Sequence, residues 1–241
     1  MKPLRLGAAF LLFYYTYPTP STIVGYMNLE LKANKMDIMG TQFVNVTDDT
    51  LNIQNITVSN FTDGQDWMMV YTPGVGYETY IYGALVKDYE TFEDDGFGWS
   101  VGDALRVQGV TLDPGQAFWI NTQKDTVITI AGQVKMTESE SVELVADKMD
   151  LIASPYPVAT DIQKIAIANF TDGQDWMMIY TPGVGYETYI YGALVKDYET
   201  FEDDGLGWSV GDALRVQGVV LNPGQGFWIN TKKDATITIS R

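Results

Sequence analysis

The chain has 241 residues, of which 46% are hydrophobic and 13% aromatic, and it carries a net charge of −16 with a pI near 4.2. That composition belongs to a globular protein, and the charge repels phosphate backbones and anionic membranes, which excludes nucleic acid as a partner and favours cations. There is no cysteine and no histidine, so disulfide frameworks, thiolate metal sites, thiol nucleophiles and imidazole-based catalysis are all excluded.

Residues 1–21 open with Lys2 and Arg5, followed by an apolar run from Leu6 to Tyr15. A basic start and about ten apolar residues outline a secretory signal, too short to span a bilayer comfortably. No small-x-small cleavage site follows, because Thr16 to Ser21 includes Tyr17, Pro18 and Pro20. Export signal, retained packing segment and membrane anchor are the three readings. In the second, Leu6, Phe10, Leu11, Leu12, Phe13, Tyr14 and Tyr15 pack on a neighbouring subunit.

From Thr22 to Leu31 the chain is β-branched and partly alternating, a strand pattern. The organising feature follows: Asn60 to Val110 recurs as Asn169 to Val219, and the two stretches differ only at Val70/Ile179 and Phe97/Leu206. A fixed period of this length sets the architecture. A fainter copy relates Lys35-Met36-Asp37-Ile38 to Lys148-Met149-Asp150-Leu151, with a four-residue length difference absorbed between about Gly40 and Asn52. The expected modules are residues 22–130 and 131–241.

Within each copy, Trp67–Thr72 and Tyr77–Tyr82 flank Pro73-Gly74-Val75-Gly76, which predicts a hairpin. Trp67, Met69 and Tyr71 form one face of its first strand, Met68 and Val70 the other. Both faces are apolar, so both should be covered, one by a second sheet and the other by a loop or a neighbouring module. Asp88 to Asp103 reads as an acidic loop, with strands following at Ala104–Val110, Ala117–Asn121 and Thr126–Ile130. Short strands, Gly and Pro turns and no sustained helical period predict an all-β chain of two tandem, nearly identical β-sandwich or barrel-like modules.

Gly25-Tyr26-Met27-Asn28-Leu29, Gly98-Trp99 and Leu112-Asp-Pro-Gly-Gln-Ala-Phe-Trp-Ile120, with the last repeated at Leu221–Ile229, resemble uncharacterised secreted β-repeat proteins of environmental bacteria. The resemblance spans nearly everything after Ser21 and rests on turns and core aromatics. It implies export and an all-β module, and it brings no active site with it.

Acidic side chains are the first candidate chemistry. Asp88, Glu90, Glu93, Asp94, Asp95 and Asp103, repeated as Asp197, Glu199, Glu202, Asp203, Asp204 and Asp212, supply the hard oxygen ligands calcium prefers. Counted from Asp88, however, Phe92 and Glu93 stand where an EF-hand loop needs Asp or Asn and then Gly. A solvated acidic face is the competing reading, and no cofactor is required. Asp63 and Asp66, with Asp172 and Asp175, form a second acidic turn. Exposed aromatics are the other candidate: Trp67, Tyr80, Trp99, Trp176, Tyr189 and Trp208 would stack on glycan rings if they reach the surface, although alternating aromatics more often form a core. Nothing in the sequence forms a catalytic constellation, and no enzyme is expected.

The expected function is an extracellular structural protein, secreted or at the cell surface, that self-assembles head-to-tail into a filament or layer. The join from the last strand of one module to the first of the next suggests two beads cut from a longer string, whose contact would propagate. The alternative is a secreted carbohydrate-binding module doubled for avidity.

Overall fold

The computed structural model describes residues 24–45, 49–72, 75–181 and 184–241; the apolar segment at residues 6–15 and the Pro-Gly turns of both hairpins lie outside them. Strands dominate. The first half contains β1 (Val24–Leu31), β2 (Met36–Gly40), β3 (Phe43–Val44), β4 (Leu51–Asn52), β5 (Ile56–Val58), β6 (Asp66–Thr72), β7 (Gly76–Val86), β8 (Asp94–Ser100), β9 (Thr111–Leu112), β10 (Ala117–Asn121) and β11 (Thr126–Val134). The second contains β12 (Ser139–Leu144), β13 (Met149–Ala153), β14 (Thr160–Asp161), β15 (Ile165–Ala168), β16 (Asp175–Thr181), β17 (Gly185–Val195), β18 (Asp203–Ser209), β19 (Val220–Leu221), β20 (Gly226–Asn230) and β21 (Ala235–Ser240).

One sheet runs β2-β10-β6-β7-β8 and faces a second in which β11 joins β1, β3 and β5. In the second half β13-β20-β16-β17-β18 faces β12-β21-β15. The sheets are open, so the architecture is sandwich-like and no barrel closes. Alternation explains the packing. In β6, Met68 and Val70 enter a core with Phe118, Ile120, Ile128 and Ile130, while Met177 and Ile179 of β16 do the same with Phe227, Ile229 and Ile237.

Three elements depart from the sequence expectation. Ala104–Val110 is not a strand: only Leu105 makes a bridge, parallel to Val86. Ala104 and Gly109 have positive φ, at 60° and 71°, which breaks an extended run. A side chain supplements the two backbone bonds there, Val107 N to Trp99 O and Val86 N to Ala104 O, since Gln54 Nε2 donates to the carbonyls of Trp99 and Val107 at 2.8 and 3.1 Å. Conversely the acidic loop contains the edge strand β8, whose register shifts between Leu85 and Val86. The final strand of the first half also runs past Ile130 to Val134, because Ala131 to Gln133 pairs with Tyr26, Gly25 and Val24 and the tip pairs with β3.

The other face of β6 carries Trp67, Met69 and Tyr71, as the two-sided pattern requires, and the second half covers it. Ile38, Ala117 and Trp119 pack with Leu151, Ala153 and Trp228 in a third core, flanked by Trp67, Met69, Tyr71, Met178 and Tyr180. Its contacts come in exchanged pairs. Met39 bridges to Gln225 as Ile152 bridges to Gln116. Gly40 N donates to Gly224 O at 2.9 Å, and Ala153 N donates to Gly115 O at 2.7 Å. Tyr71 meets Trp228 with centroids 5.9 Å apart, and Trp119 meets Tyr180 at 6.0 Å. Exchanging the halves maps each contact onto its mate, so this joint is an approximate two-fold, isologous contact that closes rather than propagates. The joint inside the chain is therefore not the head-to-tail contact expected from the sequence.

Near the axis a residue meets its own counterpart. Gly40 faces Ala153, its equivalent, and a Cβ on Gly40 would lie 1.8 Å from that of Ala153. Gly226 faces its equivalent Ala117 at 2.9 Å, with Ile38 Cγ2 at 2.4 Å. Two identical first halves would set alanine 117 against itself, and two second halves would set alanine 153 against itself. One glycine per pair thus makes the unlike pairing the one that fits. Gly40→Ala should destabilise the chain by about 1–3 kcal/mol through overpacking. In urea unfolding, the double change Gly40→Ala/Ala153→Gly should recover most of that loss, and an uncompensated double mutant would contradict the axis.

Candidate functional site

The aromatic residues expected to stack on glycans are mostly inside. Trp99 and Trp208 are 0% exposed, and Tyr80 and Tyr189 are buried. Indole Nε1 of Trp99 donates to Ile56 O at 2.7 Å and Trp208 repeats this with Ile165 O at 2.7 Å, so each ring is fixed between the sheets. Tyr82 meets Trp99 edge-on at 4.9 Å. Burial lifts the Tyr80 phenol, with help from Glu78, to about 12. Trp67 and Trp176 are half-buried against or beside the third core. Alternation identified these rings, but only the count of covering sheets decides between core and surface.

The expected calcium ligands are spent on the loops that carry them. Asp88 Oδ1 accepts from the backbone of Glu90 and Thr91 at 2.9 and 2.7 Å and from the Thr91 hydroxyl at 2.9 Å. These Thr91 bonds hold its carboxyl below the usual range. Asp94 accepts from Gly96 N, Asp103 from Leu105 N, Asp95 from Arg106 Nε at 2.7 Å, and Glu93 pairs with Lys87 at 2.5 Å. The copies behave alike: Asp197 holds Glu199 and Thr200, Asp203 holds Gly205, Asp212 holds Leu214, Asp204 pairs with Arg215 and Glu202 with Lys196. Glu90 and Glu199 point to solvent at the loop surface. Asp63 likewise accepts from Ala84 N, and buried Asp66 from Thr62 N and Gln123 N. Among the described residues no three acidic groups converge in a metal-binding arrangement.

The concavities lie beside the third core. A groove of about 680 Å³ opens where β12 and β13 meet Val70–Thr72, Glu78 and the turn Asp113–Gln116 of the first half. Its two-fold mate, about 340 Å³, lies where β1 and β2 meet Ile179–Thr181, Glu187 and Asn222–Gln225. Edge strands form both, so the space between the two sheets of each sandwich gapes there. Lining the larger groove is Asp150 of β13, 7% exposed and without a hydrogen-bond partner among the described residues. Burial pushes its carboxyl from the ordinary 3.8 up to about 6, against a smaller opposing pull from Lys148. Its counterpart Asp37 is less buried and is raised for the same reason. In the sequence Asp37 and Asp150 stand out only as markers of the repeat; an acidic residue amid Met149, Leu151 and Ile152 is the signal that could have singled out Asp150.

Among the described residues no helix is long and apolar enough to cross a membrane. Comparison with protein-family models, curated proteins and solved structures finds no match.

Because Asp150 has a higher pKa folded than unfolded, the native state binds more protons between about pH 4 and 6, and stability from this group falls as pH rises through that window. Above it the ionised carboxylate costs up to about 3 kcal/mol. Asp150→Asn should therefore raise stability at pH 8 and change it little near pH 3.5, read as the difference between two denaturant melts. A larger gain at the acid end would contradict this assignment.

Proposed function

We propose that the chain is a structural protein of the cell exterior, built from two tandem, near-identical β-sandwich modules that act as one rigid block and self-assemble through surfaces outside the third core. The observation that carries this reading is the closed joint itself. It uses up the most aromatic face of each module and leaves a block whose two ends differ. At one end, among the described residues, β1 is hydrogen-bonded along one side only, to β11, and its outer face exposes Val24 and Tyr26 at 68% and 71%. At the other, among the described residues, β12 pairs only with β21 and presents Ser139 and Ser141 outward. Half-paired apolar edges are templates for further strands. Unlike ends favour directional, head-to-tail growth over a closed dimer.

In this reading the apolar residues around Leu6 to Tyr15 pack on a neighbouring molecule, a form of strand or segment complementation. The joint buries Trp119 and Trp228 and the sandwich cores bury Trp99, Trp208, Tyr80 and Tyr189, which supports assembly over glycan binding, the second reading.

A charge of −16 per molecule opposes side-by-side packing over about 10 Å in ordinary salt. Assemblies seen by electron microscopy and sedimentation should therefore lengthen as sodium chloride rises from 20 to 300 mM. Val24→Lys/Tyr26→Lys, or deletion of residues 2–17, should leave folded, shorter or unassembled species. Wild-type assembly by both variants would overturn the proposal.

A further inference from the structure

The two interfacial grooves are related by the approximate two-fold, yet they are not equivalent. The larger one is lined by the carboxylates of Asp49, Glu78, Asp113, Glu140, Glu143 and Asp150 and by one cation, Lys135. Lys135 is already committed, to Asp49 at 2.7 Å and Glu140 at 3.2 Å. The smaller groove has Glu30, Asp37 and Glu187, and Asn222 replaces Asp113. Size and charge thus increase together on one side.

Acidity alone would mean only a solvated wall, but Asp150 differs from its neighbours. It is more than nine-tenths buried, lines the groove, and receives no hydrogen bond from any described residue. A buried carboxylate without a partner is costly, and a charge-assisted bond from a cation is the strongest way to offset that cost. At neutral pH it is ionised, since burial lifts it only to about 6. Metal ions are a poor match, because no three acidic groups converge among the described residues. Apolar side chains share the lining with these charges: Tyr71, Val110, Val142, Leu151 and Ile152.

We infer that the groove between β12–β13 and the Asp113–Gln116 turn binds a primary ammonium group carried on an apolar stem, with Asp150 as its counter-ion and Glu143 at the mouth. A free alkylamine and a lysine side chain share that chemistry. The inference stands apart from self-assembly, since it concerns a groove inside each block and holds whether or not blocks polymerise.

The test is calorimetric titration of the full chain at pH 7.5 in low salt with hexylammonium chloride, Nα-acetyl-lysine methylamide and the neutral analogue 1-hexanol. At least one ammonium probe should bind one site per chain, with the tighter of the two separating a free amine from a lysine side chain, and hexanol should bind at least tenfold more weakly. Asp150→Asn should weaken the ammonium probe at least tenfold, Glu143→Gln by a few fold, and Asp37→Asn not at all. Asp150→Asn removes an unpaired charge and should melt no lower than wild type; if it fails to fold, the pair Glu143→Gln and Asp37→Asn carries the comparison. No binding of either ammonium probe at 20 mM, equal binding of hexanol, or binding unaffected by Asp150→Asn would overturn the inference.

Discussion

The structure depends on a strand with two apolar faces. In β6, Met68 and Val70 fill one sandwich while Trp67, Met69 and Tyr71 belong to another core altogether. A single sandwich would leave that second face in water, an apolar patch of the size that marks an interface. Because the sequence is duplicated, the surface best shaped to cover it is its own copy, and two copies of one face meet most simply about a two-fold axis. The third core is the outcome, and it fixes the orientation of the halves more firmly than the short connection between β11 and β12.

A two-fold contact between identical faces carries a penalty at the axis, where every side chain meets itself. The spacing of Gly40 from Ala153 and of Gly226 from Ala117 leaves room for one methyl group and not two. These positions lie outside the stretch that is copied nearly verbatim, Asn60–Val110. So the repeat can be almost identical where its residues pack within a half or on unlike residues across the joint, as Tyr71 and Tyr180 do, and differs where a residue meets its own equivalent at the axis. The same alternation of alanine and glycine disfavours pairing of like halves from different molecules, which confines the third core to unlike partners.

Much of this was legible in the residues. The hairpin β6–β7, the turn at Asp113–Gln116 and the strand Ala117–Asn121 follow from alternation and turn chemistry, and the double coverage of β6 follows from its pattern. What sequence does not reveal is the direction of the second contact. Translation and two-fold rotation both cover an apolar face, and only the backbone bonds Gly40 to Gly224 and Ala153 to Gly115 separate them. The stretch Ala104–Val110 misleads for a related reason: Gln54, distant in sequence, bonds Val107 O and the Arg106 side chain, Arg106 itself is drawn to Asp95, and local preference is outweighed by these contacts.

The acidic residues mark the limit of composition as a guide to sites. Asp88, Asp94 and Asp103 occupy positions where a carboxylate can accept backbone N–H groups at a turn, which is the ordinary reason for aspartate in loops. Their charge is incidental to that role. Asp150 inverts the relation: nothing in the backbone needs it, its strand is apolar on either side, and its cost grows with pH. The three cores supply the stability that allows such a group to persist, but they do not account for its presence. Of all the carboxylates described, it is the one whose position stability alone would remove, and for that reason the groove beside the two-fold joint, rather than the charged loops, is where chemistry specific to this chain is to be sought.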